Sequence, residues 1–349
     1  MKLLIVKISS LGDVIHAIAF VNRLVAEKPD TIIDWVVSDI YAELVEAVDG
    51  VRNVIPFKRN HWSQNWWRRK TFRELKSFFK TIRSEKYDVC LDLQGLFRSG
   101  LITHWSGASL TAGFADGREG SRLFYQKKIK TKSSPNGIHA VDKLLGALEV
   151  ITEVNASSET VRPDFRFTIP KSKEESAGTI LNENGITGEY FVFHTGARWK
   201  TKLWLDKYWR RLAEKVYATH SIPIVFTGSS ADTRSVAEIT SGLSYAKNIC
   251  GKGDLLELAS ILKGAKLMVT VDSGPMHMAA AFNVPMAAIF GPTSPHKTGP
   301  VSEGKIIIFS ESIDCVPCLK RKCINNYECM TGIQPESVSD GIEKYFRNV

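Results

Sequence analysis

The stretch of residues 266–292, KLMVTVDSGPMHMAAAFNVPMAAIFGP, contains two short apolar runs separated by a polar turn and a helical segment. Residues 267–271 are apolar or β-branched, which is typical of a strand buried on both faces of a parallel sheet. Residues 276–282 predict a helix, since Pro275 is tolerated in a first helical turn. Residues 284–290 predict a second buried strand. The unit therefore predicts an α/β fold built on a parallel sheet.

The polar turn in this unit is the first candidate for a binding site. In open α/β sheets, ligands lie at the carboxyl ends of the strands, where helix N-termini offer free N–H groups to anions. We therefore expect a phosphate or diphosphate at Asp272, Ser273, Gly274 and His277. A purely structural turn, in which Asp272 or Ser273 caps the helix, fits the spacing equally well.

The N-terminus shows the same arrangement. Residues 2–8 predict a buried strand, and apolar residues from 15 to 24 follow at helical spacing. Between them, Gly12 allows close approach of the backbone, and Asp13 lies at a helix N-terminus that favours its ionised form. Asp13 is therefore either a helix cap or a functional carboxylate.

Length and charge limit the class of protein. A chain of 349 residues accommodates two domains. The polar residues 152–168 suggest a linker, so we predict domains at 1–160 and 161–330 and a closing helix in 331–349.

Lys and Arg outnumber Asp and Glu by 46 to 37, which favours an anionic partner. No apolar run is long enough for a membrane span, and no dinucleotide or P-loop motif is present. A cytoplasmic location is expected.

Residues 58–86 form a basic and aromatic segment, with ten Lys or Arg and six Trp or Phe. Its second part predicts an amphipathic helix with an apolar stripe of Phe72, Leu75, Phe79 and Ile82. Its first part suits an anionic membrane surface or a lipid phosphate. Single-stranded nucleic acid and a plain solvated helix are the alternatives. The residues predicted to contact membrane or lipid phosphate are Arg59, Trp62, Arg68 and Arg69.

Four motifs, in order, resemble those of the bacterial lipopolysaccharide heptosyltransferases, glycosyltransferase family 9. They are KISSLGDVIH (7–16), DLQGLFRSGLI (92–102), GFADGREGSRLFY (113–125) and VDSGPMHMAAAFNVPMAAIFGPT (271–293). The resemblance implies two Rossmann-like domains facing one another across a cleft, the GT-B arrangement. It places the acceptor in the N-terminal domain and the nucleotide sugar in the C-terminal domain.

The resemblance also implies roles for individual residues. Asp13 is expected to act as the catalytic base that accepts the proton of the attacking sugar hydroxyl. The expected donor-binding residues are Thr195, Lys202, Asp272, Ser273, Gly274 and His277. The expected acceptor-binding residues are Ser10, Gly12, Gln94, Arg98, Arg118 and His139. Loop length leaves Lys200 as a competitor of Lys202 for the diphosphate. No metal or other cofactor is expected, since Lys202 and a helix N-terminus would stabilise the leaving diphosphate.

By the same resemblance, the protein is expected to move heptose from ADP-L-glycero-D-manno-heptose to the Kdo-lipid A inner core, at the inner face of the cytoplasmic membrane. The REG sequence within 113–125 and the DLQG sequence within 92–102 favour the first heptosyltransferase. The alternatives are the second heptosyltransferase and another family-9 enzyme that acts on a heptosylated core. A non-enzymatic basic-aromatic module for membrane or nucleic acid is the remaining alternative. It leaves Asp13 and Lys202 without a purpose, so no nucleic-acid partner is expected.

The cysteines near the C-terminus leave several interpretations open. Cys315 and Cys318 form a CxxC pair, and Cys323 and Cys329 follow. A structural zinc site, disulfide or redox bridging, and free thiols are all compatible with this spacing. The sequence does not indicate an oligomeric state.

Overall fold

The computed structural model describes residues 1–131, 137–152 and 162–347. The chain divides into two compact units, Met1–Thr168 and Ile169–Val349. The predicted boundary between residues 160 and 161 lies outside the described residues. The residues that follow this gap belong to the N-terminal unit: the Thr168 N–H donates to the Ala47 carbonyl (2.8 Å), and Asn22 Nδ2 donates to the Asp164 carbonyl (2.9 Å).

The N-terminal unit contains a parallel six-stranded sheet. Its strands are β1 (Lys2–Val6), β2 (Ile32–Ser38), β3 (Val51–Phe57), β4 (Val89–Asp92), β5 (Leu110–Phe114) and β6 (Lys127–Ile129). Its helices are α1 (Leu11–Glu27), α2 (Ala42–Glu46), α3 (Arg59–Gln64), α4 (Arg69–Ser84), α5 (Phe97–Trp105) and α6 (Ala140–Gly146), with 3₁₀ turns at Asp39–Tyr41, Ser121–Phe124 and Ala147–Val150. The strand order is β3-β2-β1-β4-β5-β6.

The C-terminal unit repeats this design. Its strands are β7 (Phe191–His194), β8 (Ile224–Thr227), β9 (Ala246–Asn248), β10 (Leu267–Val271), β11 (Met286–Phe290) and β12 (Ile306–Ser310). Its helices are α7 (Lys171–Glu183), α8 (Asp206–His220), α9 (Thr233–Thr240), α10 (Leu255–Lys263), α11 (Gly274–Ala281), α12 (Pro295–Thr298), α13 (Glu328–Thr331) and α14 (Pro335–Phe346), with 3₁₀ turns at Lys200–Lys202 and Ser230–Asp232. The strand order is β12-β11-β10-β7-β8-β9. Taken from the β9 edge, it has the same connectivity as the first sheet, with β7 in the place of β1. The predicted α/β fold with two Rossmann-like domains is confirmed.

None of the helices in the described residues combines the length and the apolar character needed to cross a bilayer.

Each sheet has a point at which its strand order reverses, between β1 and β4 and between β7 and β10. The ends of these strands are in register: Val6 pairs with Asp92, and Thr270 pairs with His194. The loops that leave them therefore start side by side. Rossmann-like sheets bind ligands at such positions, outside the carboxyl ends of the strands.

The strands that border these positions are buried, as their apolar sequences predict. Residues 3–6 of β1 and all of β10 are buried between helices. Apolar runs at residues 34–37, 54–57, 87–93, 190–194 and 223–228 also predict β2, β3, β4, β7 and β8, whereas the sequence did not predict β5, β6, β9 and β12. The last three lie at sheet edges, where pairing on one side only leaves a weak pattern of burial.

The basic and aromatic segment folds as α3 and α4, and Trp62 lies in the core. Its side chain is 7% exposed and packs edge-on against Phe57 and Phe78, with ring centroids 5.0 and 5.5 Å away. Its Nε1 donates to Glu74 Oε2 (2.9 Å). The prediction that Trp62 contacts a lipid surface is wrong, because the ring is enclosed by the protein.

The apolar face of α4 also differs from the predicted stripe. Phe72 is 75% exposed, whereas Phe78 and Ile82 are buried, and Leu75 and Phe79 pack partly against the same core. The buried face of α4 therefore contains Phe78 and Ile82, and Phe72 lies outside it.

Two tryptophans of this segment should differ sharply in their effect on stability. We expect Trp62→Ala to lower the free energy of unfolding by about 3–5 kcal/mol, because it opens a cavity among aromatic rings. Trp66 is 72% exposed, so Trp66→Ala should change stability by no more than about 0.5 kcal/mol. Urea unfolding of both variants measures the difference. Equal losses would contradict the core position of Trp62.

Candidate active site

In the N-terminal unit, hydrogen bonds join three loops at the carboxyl edge of the sheet. The Ser9 N–H, after β1, donates to Oε1 of Gln94, after β4 (2.9 Å). The Arg118 N–H, after β5, donates to the Gly95 carbonyl (2.9 Å). The structure thus brings the loop of Ser10, Gly12 and Asp13 together with that of Gln94.

Asp13 lies in the first turn of α1, where Ser10 is the N-cap residue. Its Oδ2 accepts hydrogen bonds from the N–H (2.9 Å) and the Oγ–H (2.7 Å) of Ser10. Its Oδ1 is 3.2 Å from Lys7 Nζ. The side chain remains 42% exposed. Asp13 therefore completes a capping box and still presents its carboxylate to solvent.

The charge of Asp13 is set largely by Lys7. Desolvation acts to raise the pKa of Asp13, but the Lys7 ammonium, the Ser10 donors and His16 outweigh it and hold the pKa far below the usual range. Lys7 itself is 4% exposed, and its Nζ also donates to the Leu93 carbonyl (3.0 Å). Asp13 is consequently a carboxylate throughout the physiological pH range.

Lys7 was not among the predicted site residues. The signal that could have found it is a lysine that directly follows four apolar residues of a buried strand, LLIV. A lysine in such a place needs a partner for its charge. The partner, Asp13, lies six positions further along the chain.

Removing Lys7 should change the pH dependence of activity. An ordinary Asp titrates near 3.9, and the pKa of Asp13 is lower still. Protonation of Asp13 should therefore not reduce kcat/KM between pH 7 and about 5. In Lys7→Met the pKa of Asp13 rises, so the acid limb of kcat/KM should move to higher pH. Lys2→Met is the matched control, because Lys2 lies at the other end of β1 and pairs with Glu85. A Lys7→Met profile that coincides with the wild-type profile would contradict the coupling.

His16, which helps to lower the pKa of Asp13, lies next to a second histidine. The ring of His16, which is buried, is 5.9 Å from that of His139. His139 is the N-cap of α6, and its Nδ1 accepts from the Val141 N–H (3.2 Å). His139 therefore caps α6, and its ring lies close to that of His16.

Asp92 supports the loop that carries Gln94. It is buried and accepts hydrogen bonds from Tyr125 Oη (2.6 Å), the Gln94 N–H (2.8 Å) and the Gly95 N–H (2.9 Å). Burial raises its pKa, and these bonds offset part of the rise. Gly95 has a φ of +68°, which favours glycine. Asp92 is therefore a positioning residue for Gln94.

Arg59 of the basic and aromatic segment repels Arg98, which is a predicted acceptor residue. Arg98, in the first turn of α5, has its pKa lowered by burial and by repulsion from Arg59, against the attraction of Glu119. Arg59 and Arg98 thus lie within electrostatic range of each other, although they were predicted for a lipid phosphate and for the acceptor. Arg118 is exposed, as are Arg68 and Arg69 at the start of α4.

In the C-terminal unit, an ion pair bridges the point at which the strand order reverses. Lys202 Nζ, in the loop after β7, lies 2.6 Å from Oδ2 of Asp272, which follows β10. Thr293 Oγ1, after β11, donates to the same oxygen (2.5 Å). Lys200, in contrast, is exposed. The structure therefore brings Lys202, and not Lys200, to Asp272.

The N-terminus of α11 lies next to this pair. Ser273 is the N-cap residue, but its side chain does not cap the helix; its Oγ is 3.2 Å from Thr270 Oγ1. Ser273 thus does not occupy the N-terminus of α11 with its own side chain, and a helix N-terminus suits an anion. His277 and Thr195 are buried nearby in the same unit. Burial lowers the pKa of the neighbouring His194 to about 4, so it is neutral at pH 7.

The cysteine-containing segment packs beside the Lys202 loop. Thr201 Oγ1 donates to the Lys320 carbonyl (2.9 Å), and the Trp199 ring is 5.0 Å from Lys202 Nζ and 5.2 Å from Arg321 Cζ. All six cysteines are free thiols, and burial with the charges of the other three thiols raises the pKa of Cys329 to about 11. Within the described ranges, no His, Cys, Asp and Glu side chains are grouped so as to hold a metal ion.

Comparison with known proteins identifies the family. The profile of glycosyltransferase family 9 (heptosyltransferase) matches residues 75–328. The chain belongs to glycosyltransferase family 9. Lipopolysaccharide heptosyltransferase 1 of Pseudomonas aeruginosa is 30% identical over 331 residues, which cover 93% of this chain and 87% of that protein.

Solved structures agree with this assignment at the level of the fold. The structure of the E. coli heptosyltransferase WaaC with ADP has a TM-score of 0.79 and 24% identity, with 99% of each chain covered. That of E. coli ADP-heptose lps heptosyltransferase II has a TM-score of 0.76 and 21% identity, over 99% of this chain and 98% of that one. The resemblance seen in the sequence and the GT-B fold are confirmed. This family-9 protein is a glycosyltransferase of the heptosyltransferase type.

Proposed function

We propose that this family-9 enzyme transfers a heptose from ADP-L-glycero-D-manno-heptose to the Kdo-lipid A inner core of lipopolysaccharide. The observation that carries the proposal is the ionised and partly exposed carboxylate of Asp13, held by Lys7 at the carboxyl edge of the N-terminal sheet. The names of relatives support the substrates, since the P. aeruginosa protein is a heptosyltransferase 1.

In this mechanism Asp13 accepts the proton of the attacking acceptor hydroxyl. The oxygen of that hydroxyl forms a bond to the anomeric carbon, the bond from that carbon to the diphosphate oxygen breaks, and the configuration inverts. A carboxylate with a low pKa is a weak base. It is adequate here, because the hydroxyl becomes strongly acidic as its oxygen bonds to the anomeric carbon. Lys7 keeps Asp13 ionised and ready for the proton.

The C-terminal unit supplies positive charge for the departing ADP. Lys202 and the first-turn N–H groups of α11 bind the diphosphate, whose negative charge grows as the bond breaks. Asp272 holds the end of Lys202 in place, and Thr293 donates to the same Asp272 oxygen. Thr195, Ser273, Gly274 and His277 complete the donor site. We propose that no metal ion is required for this step.

The acceptor is bound by the N-terminal unit. Arg98 and Arg59 bind a phosphate or carboxylate of the inner core, since a planar guanidinium binds such groups in a bidentate manner. The remaining acceptor residues are Ser10, Gly12, Gln94, Arg118 and His139. We propose that the enzyme works in the cytoplasm at the inner face of the membrane, where it would meet a lipid-linked acceptor.

A second candidate function is transfer to an already heptosylated core, as the names of heptosyltransferase 2 relatives indicate. The experiment measures release of ADP from ADP-heptose, in EDTA, with Kdo-lipid A and separately with a heptosylated core. Turnover with Kdo-lipid A alone supports the proposal. Turnover only with the heptosylated core establishes the second candidate. Failure of the protein to bind ADP would contradict the proposed donor site.

A further inference from the structure

The exposed flank of helix α4 carries cations and aromatic rings that the catalytic proposal does not use. Residues at a spacing of three or four lie on one side of a helix, so Phe72, Lys76, Lys80 and Arg83 share a flank. Phe79 borders the same flank and contacts Trp105 of α5, with ring centroids 5.0 Å apart. We call this the α4 flank.

The α4 flank contains an open hollow of about 640 Å³. Its lining residues are Lys76, Phe79, Lys80, Arg83, Ser84 and Trp105. Trp105 is 46% exposed although it is large and apolar. The hollow thus combines three positive charges with two aromatic rings, a composition that suits a ligand with an anionic head and an apolar part.

The charges of the hollow are available to a ligand. Within the described part of the chain, Lys76, Lys80 and Arg83 form no ion pair. The nearby acids are engaged elsewhere: Glu74 binds Trp62 and His61, and Glu85 binds Arg52 and Lys2. No ion pair among the described residues therefore neutralises the positive charge of the flank.

Further exposed aromatic residues lie at the N-terminal end of α4. Trp66 and Trp67 are 72% and 64% exposed, and their rings meet edge to face at 6.1 Å. The exposed Arg68, Arg69 and Lys70 follow directly. Aromatic rings beside cations are typical of segments that lie in the interface of an anionic bilayer.

We propose that the α4 flank, with Trp66 and Trp67, is the surface by which this enzyme docks on an anionic lipid membrane, and that the hollow receives a lipid phosphate. Charge complementarity selects this occupant, since leaflets with anionic lipids attract clustered Lys and Arg. Single-stranded nucleic acid also binds cations beside aromatic rings, and the test below includes it as a competing outcome. The inference deepens the proposed function by naming the surface that reaches a membrane-bound acceptor.

The test is flotation of the full-length protein with vesicles, in the absence of donor and acceptor. The probes are phosphatidylcholine vesicles with and without phosphatidylglycerol. The wild type should float only with the anionic vesicles, and added salt should release it. The variant Lys76→Gln/Lys80→Gln/Arg83→Gln should bind them about 100-fold more weakly, given about a fivefold contribution from each charge. The variant Trp66→Ser/Trp67→Ser should also bind less.

A matched control removes the same charge from exposed positions of the C-terminal unit, with Lys171→Gln/Lys207→Gln/Arg234→Gln. This control should bind like the wild type. Equal weakening of both triple variants, equal binding to both vesicle types, or tighter binding to a single-stranded oligonucleotide would each overturn the proposal.

A second measurement separates docking from catalysis. The α4 variant should retain its rate on a soluble acceptor without acyl chains, and lose rate only on an acceptor embedded in vesicles. If no heptose is transferred to either acceptor by the wild type, the proposed function fails while the flotation result stands. An equal loss of rate on both acceptors would overturn the docking role.

Discussion

Replacement of Asp13 by asparagine should lower kcat by about 10²–10⁴-fold, the usual contribution of a positioned general base. Asparagine has nearly the same shape as aspartate, but it cannot accept the proton of the acceptor hydroxyl. The affinity for ADP should not change, because the proposed donor residues lie in the other unit. Initial rates of transfer and calorimetric binding of ADP measure the two quantities.

Stability must be followed in the same experiment, since Lys7 loses its carboxylate partner in Asp13→Asn. Lys7 is buried, so an unpaired ammonium should lower the free energy of unfolding. The double variant Lys7→Met/Asp13→Asn should recover stability without recovering activity. Activity of Asp13→Asn close to that of the wild type would show that Asp13 only caps α1.

Replacement of Lys202 by methionine should lower kcat by about 10²–10³-fold, comparable to the loss of one group that stabilises developing negative charge. Methionine keeps most of the length of the side chain and removes the charge at the diphosphate. Binding of ADP should weaken as well, because the ground state carries part of the same charge. Steady-state kinetics with varied ADP-heptose separate the effects on kcat and KM.

Lys200→Met is the matched control, since Lys200 lies two residues away and is exposed. It should change kcat by less than tenfold. Asp272→Asn should lie between the two, because it leaves Lys202 charged but less well held. A larger effect at Lys200 than at Lys202 would reverse the assignment of the diphosphate lysine.

Local patterns allowed much of the fold to be predicted from the sequence. The apolar runs of β1, β7 and β10 mark central strands, because a strand buried on both faces tolerates almost only apolar residues. Turns with Gly12 and Gly274 mark the following helix starts. The edge strands β6, β9 and β12 escaped prediction, since an edge strand is stabilised by one neighbour and carries a weaker pattern.

The sequence by itself determined the α/β elements and the candidates Asp13 and Asp272, because strand ends and helix starts are encoded by residues close together in the chain. The resemblance to family 9 added the two Rossmann-like domains and Lys202. Only the tertiary structure decided which charges meet. It paired Lys7 with Asp13 and Lys202 with Asp272, placed Arg59 near Arg98, buried Trp62 and exposed Phe72. Such contacts depend on the rotation of each helix and on the neighbouring loop at the sheet edge. Electrostatic energy and burial depend on distance in space, and the spacing of residues along the chain does not specify that distance.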